Sequence, residues 1–191
     1  MTIRGIDVSV WQGQINWAAV ANDGVRFAFV RASHGLSADS RGAENMAGAR
    51  GTIERVGAYH YLEKSHDAAD QAGAFLRFYA RADGDLPPVL DLEEGGSDSA
   101  ARALTWLAIV EEAIDVRPMV YTSAGFADRV GLVKRVELAD YPLWVAHWTH
   151  APEPTLPAPW QSWAIWQHAS NGRVAGINGS VDLDVAPTLD F

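Results

Sequence analysis

The chain has 191 residues, of which 48% are hydrophobic, so it can bury the core of one compact domain or at most two. Its net charge of −9 argues against a nucleic-acid-binding surface, and the sequence contains no basic run. The absence of cysteine excludes disulfides, thiolate catalysis and thiolate metal sites.

The first two thirds of the chain predict five strands, each followed by a helix. The strands are predicted at residues 3–10, 26–31, 56–62, 87–94 and 116–121. The helices are predicted at residues 16–20, 41–55, 68–82, 97–114 and 123–133, with Asn16, Ser40, Asp67 and Ser97 or Asp98 as candidate N-caps. This alternation predicts a parallel sheet with right-handed crossovers.

The last third of the chain lacks helical patterns. Three more strands are predicted at residues 142–146, 162–167 and 181–185, and the segments between them are rich in proline or glycine. Eight strands with five helices favour an α/β fold, a TIM-like (β/α)5(β)3 barrel that is closed or nearly closed. We expect a single domain over residues 1–191.

Two acids mark the end of the fourth predicted strand, PPVLDLEE at residues 87–94. Side chains alternate along a strand, so Asp91 and Glu93 project to one side and Leu92 to the other. Neighbouring carboxyl groups raise the pKa of at least one member, as a general acid requires. Taken alone, the pair could also be a solvated strand end followed by an acidic loop.

Other acids fall at the ends of strands that should meet the fourth at one rim. Asp7 ends the first strand, and Asp182 and Asp184 lie on the eighth, which neighbours the first in a closed barrel. Active sites of such barrels lie at the C-terminal ends of the strands. We therefore expect one acidic bowl. Five aromatic residues could wall it: Tyr59, Tyr61, Tyr121, Trp148 and Trp166.

A bowl of carboxylates and aromatics suits two enzyme chemistries. In glycoside hydrolysis, one carboxylic acid protonates the leaving oxygen and a second carboxylate assists. In metal-assisted phosphodiester hydrolysis, the acids bind Mg²⁺ or Ca²⁺, and His60, His147 and His168 could assist at the bowl. The eight Trp residues mildly favour a carbohydrate, since indole rings stack on sugars. A third possibility is a non-catalytic binding or interaction domain.

Several segments together resemble glycoside hydrolase family 25, the CH-type lysozymes of bacteria and phages. They are GIDVS at 5–9, WQ at 11–12, INW at 15–17, GAYHY at 57–61, PPVLDLE at 87–93, MVYTS at 119–123, LWVAHW at 143–148, and WAIWQHAS and VAGINGSVDLDV at 163–170 and 174–185. The resemblance follows the family's order from Gly5 to Val185. It implies a flattened barrel and N-acetylmuramidase activity, the hydrolysis of the β-1,4 bond between N-acetylmuramic acid and N-acetylglucosamine. The non-catalytic alternative would then be a cell-wall-binding domain.

The resemblance also implies roles for particular residues. Glu93 would be the general acid/base, and Asp91 the nucleophile or the group that supports the substrate's acetamido group. Asp7 and Asp182 would complete the acidic floor and keep the pKa of Glu93 raised. The candidate substrate-binding residues are Tyr59, Tyr121, Gln167, Trp148 and Asp184. We expect a monomer that acts on peptidoglycan glycan strands without a metal or cofactor.

Two positions depart from the family's usual pattern. The segment from Ala32 to Gly35 reads ASHG where relatives often have ATEG, so His34 replaces an acid at the rim. His34 could change subsite preference or pH dependence, or be a solvent-exposed loop residue. Arg31 replaces a frequent lysine, an exchange that we expect to be neutral.

The sequence also bears on where the protein acts. The segment MTIRGIDVSVWQ at residues 1–12 has no charged region followed by an apolar run, and we expect neither a Sec-type signal peptide nor a membrane span. A wall hydrolase would act outside the cell, or be made in a host's cytoplasm and released as a phage endolysin.

Overall fold

Eight strands close into a barrel in the computed structural model, which describes residues 2–190. The strands are β1 Ile3–Val8, β2 Phe27–His34, β3 Ser37–Ala38, β4 Arg55–Tyr61, β5 Val89–Asp91, β6 Met119–Ser123, β7 Leu143–Ala146, β8 Ile165–Gly172 and β9 Val181–Ala186. The α-helices are α1 Trp17–Asn22, α2 Gly42–Ala49, α3 Ala68–Phe78, α4 Ser99–Ile114 and α5 Ala124–Val130. Short 3₁₀ helices span Val10–Gln12, Leu132–Lys134 and Val136–Asp140.

The barrel follows the order β1-β2-β4-β5-β6-β7-β8-β9 and closes where β9 pairs with β1. Neighbouring strands from β1 to β8 are parallel, whereas β9 runs antiparallel to both β8 and β1. The two-residue strand β3 forms a hairpin on β2 and lies outside the barrel circuit. The predicted (β/α)5(β)3 barrel is therefore confirmed, with its last strand reversed.

Two apolar layers stabilise this barrel. The inner layer fills the barrel with side chains such as Phe29, Met119 and Trp144, and the rings of Phe29 and Trp144 lie 4.8 Å apart. The outer layer comes from the alternate residues of the same strands, which pack against the helices. Because the inner layer is dense hydrocarbon, a polar cleft can form only above it, at the rim.

A buried polar network lies in the outer layer. The His60 ring is completely buried and stacks on Trp106, and its Nδ1 and Nε2 atoms lie 2.8 Å from Ser33 Oγ and 3.3 Å from Gln71 Oε1. Burial lowers the pKa of His60 to about 3, so this ring is neutral. His60 faces the helices, and its predicted place at an active-site bowl is wrong.

The predicted element boundaries are partly correct. The side chains of Asn16, Asp67 and Ser123 accept hydrogen bonds from the first turns of α1, α3 and α5. Ser40 was expected to cap α2, but that position is taken by Arg41.

Three predicted helices end early, and one of them is α5, which ends at Val130 instead of residue 133. The helix α2 ends at Ala49 instead of residue 55, because the chain turns through Gly51 with a φ of +81°. The helix α3 ends at Phe78 instead of residue 82, because Tyr79 adopts an extended backbone. Between Pro142 and Asp190 the described chain contains no helix, as expected. None of the helices within residues 2–190 combines the length and apolarity needed to span a bilayer.

We expect that replacing Gly5 by alanine destabilises the protein by about 1–3 kcal/mol, the usual cost of overpacking a core. The added methyl group would overlap the ring of Phe27, which is fully buried and cannot move aside. Urea unfolding followed by tryptophan fluorescence measures the difference. As a control, Gly73→Ala in α3 adds a methyl group at an ordinary 3.6 Å from Arg77 and should be neutral or stabilising. Equal midpoints for the two variants would contradict this account of the inner layer.

Candidate active site

Polar side chains form the uppermost inward-facing layer of the barrel and surround a cleft of about 380 Å³. The cleft opens at the rim where the parallel strands end, which is where this architecture places active sites. Its lining residues are Asp7, Val8, Ser9, Trp11, Gln12, Arg31, His34, Tyr59, Tyr61, Asp91, Glu93, Tyr121, Trp144, Gln167 and Asp182. The four predicted catalytic acids thus lie around one hollow.

Asp91 and Glu93 reach the cleft from β5 and the residues just after it. Leu92, between them, is fully buried in the outer layer, so strand alternation turns both acids inward. The pairing with β6 continues past the end of β5, since Leu92 N donates to Tyr121 O at 2.9 Å and Thr122 Oγ1 donates to Leu92 O at 2.8 Å. This ladder fixes the backbone that carries the two carboxyl groups.

The two acids differ in their surroundings. Asp91 is 7% exposed, and its Oδ1 atom has no hydrogen-bond partner among residues 2–190. Burial raises the pKa of Asp91 well above its usual value, with further repulsion from Glu93 and Asp7, and the Arg31 charge lowers it. Glu93 is open to solvent at the cleft mouth, yet partial desolvation by the walls and repulsion by Asp182 raise its pKa.

Asp7 and Asp182 face each other across the pairing of β1 with β9, where they are direct register partners. Asp182 was expected at the C-terminal end of its strand, but β9 is antiparallel and Asp182 is its second residue. The start of β9 therefore lies at the rim where the other strands end. Desolvation raises the pKa of Asp182 to about 6. Burial, followed by repulsion from Asp182, raises that of Asp7 well above its usual value.

Gln167 connects the acidic floor to two aromatic side chains. Its Oε1 atom accepts hydrogen bonds from Tyr121 OH at 3.1 Å and Trp148 Nε1 at 3.0 Å. Because the indole N–H can only donate, the amide oxygen must face the aromatic residues. The Nε2 atom is then directed at Asp7, and it donates to Oδ2 at 2.9 Å.

Asp184 lies one layer beneath the cleft and does not line it. It is 1% exposed and opposite Gly5, and its Oδ1 accepts a hydrogen bond from Trp144 Nε1 at 3.0 Å. The structure does not bring Asp184 to the cleft surface, so its predicted contact with substrate has no support from this geometry. The alternative, a solvated strand end, is wrong.

The aromatic walls were predicted in part. Tyr59, Tyr61 and Tyr121 line the cleft as expected. Trp166 does not, because it belongs to the outer layer and its Nε1 donates to His147 O at 2.7 Å. Strand alternation could have excluded Trp166, since its neighbour Gln167 faces inward.

Trp148 borders an adjoining cavity of about 440 Å³, which shares Glu93 and Tyr121 with the cleft. The Trp148 indole is 61% exposed. Two further tryptophans that line the cleft, Trp11 and Trp144, were missed. Strand alternation could have predicted that Trp144 faces inward. Trp11 lies in the 3₁₀ turn after β1, where no sequence pattern predicts the direction of a side chain.

Arg31 is a cation at this acidic cleft, and the sequence analysis gave it no role beyond a neutral exchange for lysine. It follows Phe27 and Phe29 along the inward face of β2, and its Nε donates to Asp39 Oδ2 at 2.8 Å. Asp39 is buried and also accepts hydrogen bonds from Val10 N at 3.1 Å and Arg41 N at 2.9 Å. Asp39 directly follows β3, so this hairpin holds the guanidinium in place.

The histidines do not gather at the cleft as a phosphate site would require. His147 borders the adjoining cavity and His168 a separate surface depression. His34 does line the cleft, and its Nε2 lies 2.9 Å from Glu63 Oε1, so it is more than a free loop residue. Within residues 2–190, no group of three or more histidine, aspartate or glutamate residues is arranged to hold a metal ion.

Comparison with known proteins agrees with this geometry. The family model described as Glycosyl hydrolases family 25 matches residues 6–177. The uncharacterized protein YegX of Escherichia coli O157:H7 is 39% identical over 96% of this chain and 69% of its own length. Lysozyme M1 of Streptomyces globisporus is 32% identical over 94% of this chain and 66% of its own length.

A solved structure gives the same result for the fold. The bacterial lysozyme from Streptomyces coelicolor superimposes with a TM-score of 0.91 at 29% identity, covering 100% of this chain and 94% of that one.

The position of Arg31 predicts its effect on Asp91. Replacing Arg31 by methionine should raise the pKa of Asp91 further, because the guanidinium charge opposes the desolvation of that carboxyl. Titration of ¹³C-labelled aspartate carboxyl groups by NMR measures this change. Arg31→Lys keeps the charge and is the matched control. If Asp91 titrates at the same pH in both variants, Arg31 does not act on it electrostatically.

Proposed function

The chain belongs to the glycosyl hydrolases of family 25, and we propose that Glu93 and Asp91 carry out its reaction in the cleft. The protein is a lysozyme, an N-acetylmuramidase that hydrolyses the β-1,4 bond between N-acetylmuramic acid and N-acetylglucosamine in peptidoglycan. Its substrate places its action at the cell wall. The observation that supports the residue assignment is the pair of carboxyl groups that β5 and the two residues after it present to one cleft.

Glu93 is the general acid. Because its pKa is raised, the carboxyl group stays protonated up to a higher pH than that of an ordinary glutamate. Its exposure at the cleft mouth lets it reach the oxygen of a bound glycosidic bond and, after bond cleavage, accept a proton from the attacking water. Activity should therefore fall as the pH rises through the pKa of Glu93.

Asp91 is the second carboxyl group of the reaction. Cleavage builds positive charge on the sugar ring, and an anion held beside the ring stabilises it. Asp91 does this either by attacking the anomeric carbon or by orienting the acetamido group of the substrate. Both routes need an ionised carboxylate, and Arg31 lowers the pKa of Asp91 against the effect of burial.

Asp7 and Asp182 support the pair from the opposite side of the cleft. Repulsion from Asp182 raises the pKa of Glu93, which favours the protonated acid. We propose that Asp7 accepts hydrogen bonds from substrate hydroxyl groups, since it lines the cleft and is held there by Gln167.

The glycan strand extends across two cavities in this proposal. Glu93 and Tyr121 line both the cleft and the adjoining cavity, so the scissile bond lies above them. The exposed Trp148 indole offers a flat apolar face to a sugar ring on one side. Tyr59 and Tyr61 form the wall on the other side. We propose that residues 1–191 act as one catalytic domain.

Glu93→Gln should lower the rate of reducing-end release from purified peptidoglycan by about 10²–10⁴-fold, the usual contribution of a general acid/base. The amide keeps the size of the side chain but cannot transfer the proton. The matched control is Glu112→Gln on the exposed face of α4, which should act like the wild type. A wild-type protein that releases no reducing ends of muramic acid would overturn the assigned activity, and an active Glu93→Gln variant would overturn the role of Glu93.

We expect that EDTA leaves reducing-end release unchanged, because the proposed reaction uses carboxyl groups alone. The measurement compares the rate after dialysis against EDTA with the rate after Mg²⁺ or Ca²⁺ is restored. Loss on chelation, recovery with metal and tolerance of Glu93→Gln would instead favour the metal-dependent phosphodiesterase chemistry.

A further inference from the structure

We propose that Asp184 is a positioning residue that keeps a proton at neutral pH and donates it in a hydrogen bond to Asp7. In this arrangement Asp184 holds Asp7 as an oriented carboxylate on the cleft floor. The catalytic consequence rests on the proposed function, whereas the protonation of Asp184 can be tested independently.

The strand register brings the two side chains together. Asp7 is opposite Asp182 and Asp184 is opposite Gly5, so Asp184 lies diagonally beneath Asp7 on the same barrel face. Both carboxyl groups are buried, and Asp184 Oδ2 has no donor among residues 2–190, so we infer that the two side chains share a hydrogen bond. Two carboxyl groups can share such a bond only if one of them carries a proton.

The other hydrogen bonds leave one place for that proton. Asp184 Oδ1 accepts from Trp144 Nε1, and Asp184 Oδ2 is buried without a partner from any N–H or O–H group in residues 2–190. Asp7 Oδ2 accepts from Gln167 Nε2, whose direction is fixed by the donors on the other side of the amide. The proton therefore lies between Asp184 Oδ2 and Asp7.

Depth in the barrel decides which carboxyl group carries the proton. Asp184 is 1% exposed beside the inner apolar layer, whereas Asp7 is 7% exposed and lines the cleft. The charged form is less stable in the drier position, so Asp184 keeps the proton. The titratable groups that act on Asp184 are Asp7 on β1 and Asp182 on β9, and both raise its pKa. The shared hydrogen bond lowers the pKa of Asp7 and raises that of Asp184.

This arrangement has a consequence for the reaction. Hydrogen bonds from Gln167 and Asp184 fix the position of Asp7. Its negative charge then lies in the cleft that Glu93 and Asp182 also line. Without the proton on Asp184, two adjacent buried anions would repel each other, and Asp7 would be displaced or would take up a proton itself.

Two substitutions that keep the branching of the aspartate side chain test the proposal. Asp184→Asn keeps a donor toward Asp7 and an acceptor for Trp144, so it should retain most of the reducing-end release and the wild-type pH profile. Asp184→Leu removes both bonds and should lower kcat/KM by about 10- to 100-fold, the range expected for losing a buried hydrogen bond to a charged group. Its acid limb should move to higher pH, because Asp7 loses a donor that stabilises its ionised form.

Infrared spectroscopy reads the proton directly. The difference spectrum between the wild type and Asp184→Asn at neutral pH should contain the C=O stretch of a protonated carboxylic acid. This measurement does not depend on activity, so it stands even if the wild type releases no reducing ends. It also stands if Asp184→Leu fails to fold, which near-UV circular dichroism would show.

Two results would overturn the proposal. One is a carboxylate band in place of the carboxylic acid band, and the other is an Asp184→Asn variant as impaired as a folded Asp184→Leu. If Asp184→Asn and Asp184→Leu both keep wild-type activity, Asp184 has no positioning role, even if it carries the proton.

Discussion

The site depends on burying carboxyl groups that repel one another. Asp7, Asp91 and Asp184 are almost fully buried, and Asp182 and Glu93 stand beside them. Their pKa values are raised in the folded protein, so the native state binds protons more tightly than the unfolded chain. These acids therefore destabilise the fold increasingly as the pH rises through their unfolded and then their raised pKa values. The two apolar layers offset this cost, since burial of hydrocarbon does not depend on ionisation.

The same constraint gives the acids different roles. Arg31 lowers the pKa of Asp91 but is not among the groups that act on Glu93, whose pKa is raised by desolvation and by Asp182. One carboxyl group thus has a cation nearby, and the other has only acids and solvent. The cation opposes the strong effect of burial on the pKa of Asp91, whereas at Glu93 the desolvation is only partial and no cation opposes it. The hairpin residue Asp39 contributes indirectly, because it holds Arg31 at the cleft.

Much of the fold and the acidic site could be predicted from the sequence. Strand period and helix period are local properties, so eight barrel strands and five helices were visible along the chain. Alternation placed Asp91 and Glu93 on one face, and barrel closure brought Asp7 close to Asp182. Strand direction is not local. Alternation keeps Asp182 and Asp184 on the inward face in either strand direction, but the reversal of β9 places the earlier residue, Asp182, at the rim.

What the sequence could not supply is depth along the barrel axis. Asp182 and Asp184 lie on the same face of the strand, and their spacing does not show which of them lines the cleft. The stagger between β9 and β1 places one at the floor and the other 1% exposed beside Trp144. Register between distant strands is set by the packing of the whole barrel. Here, a shift of two residues along one strand separates a carboxyl group that lines the cleft from one that lies buried beneath it.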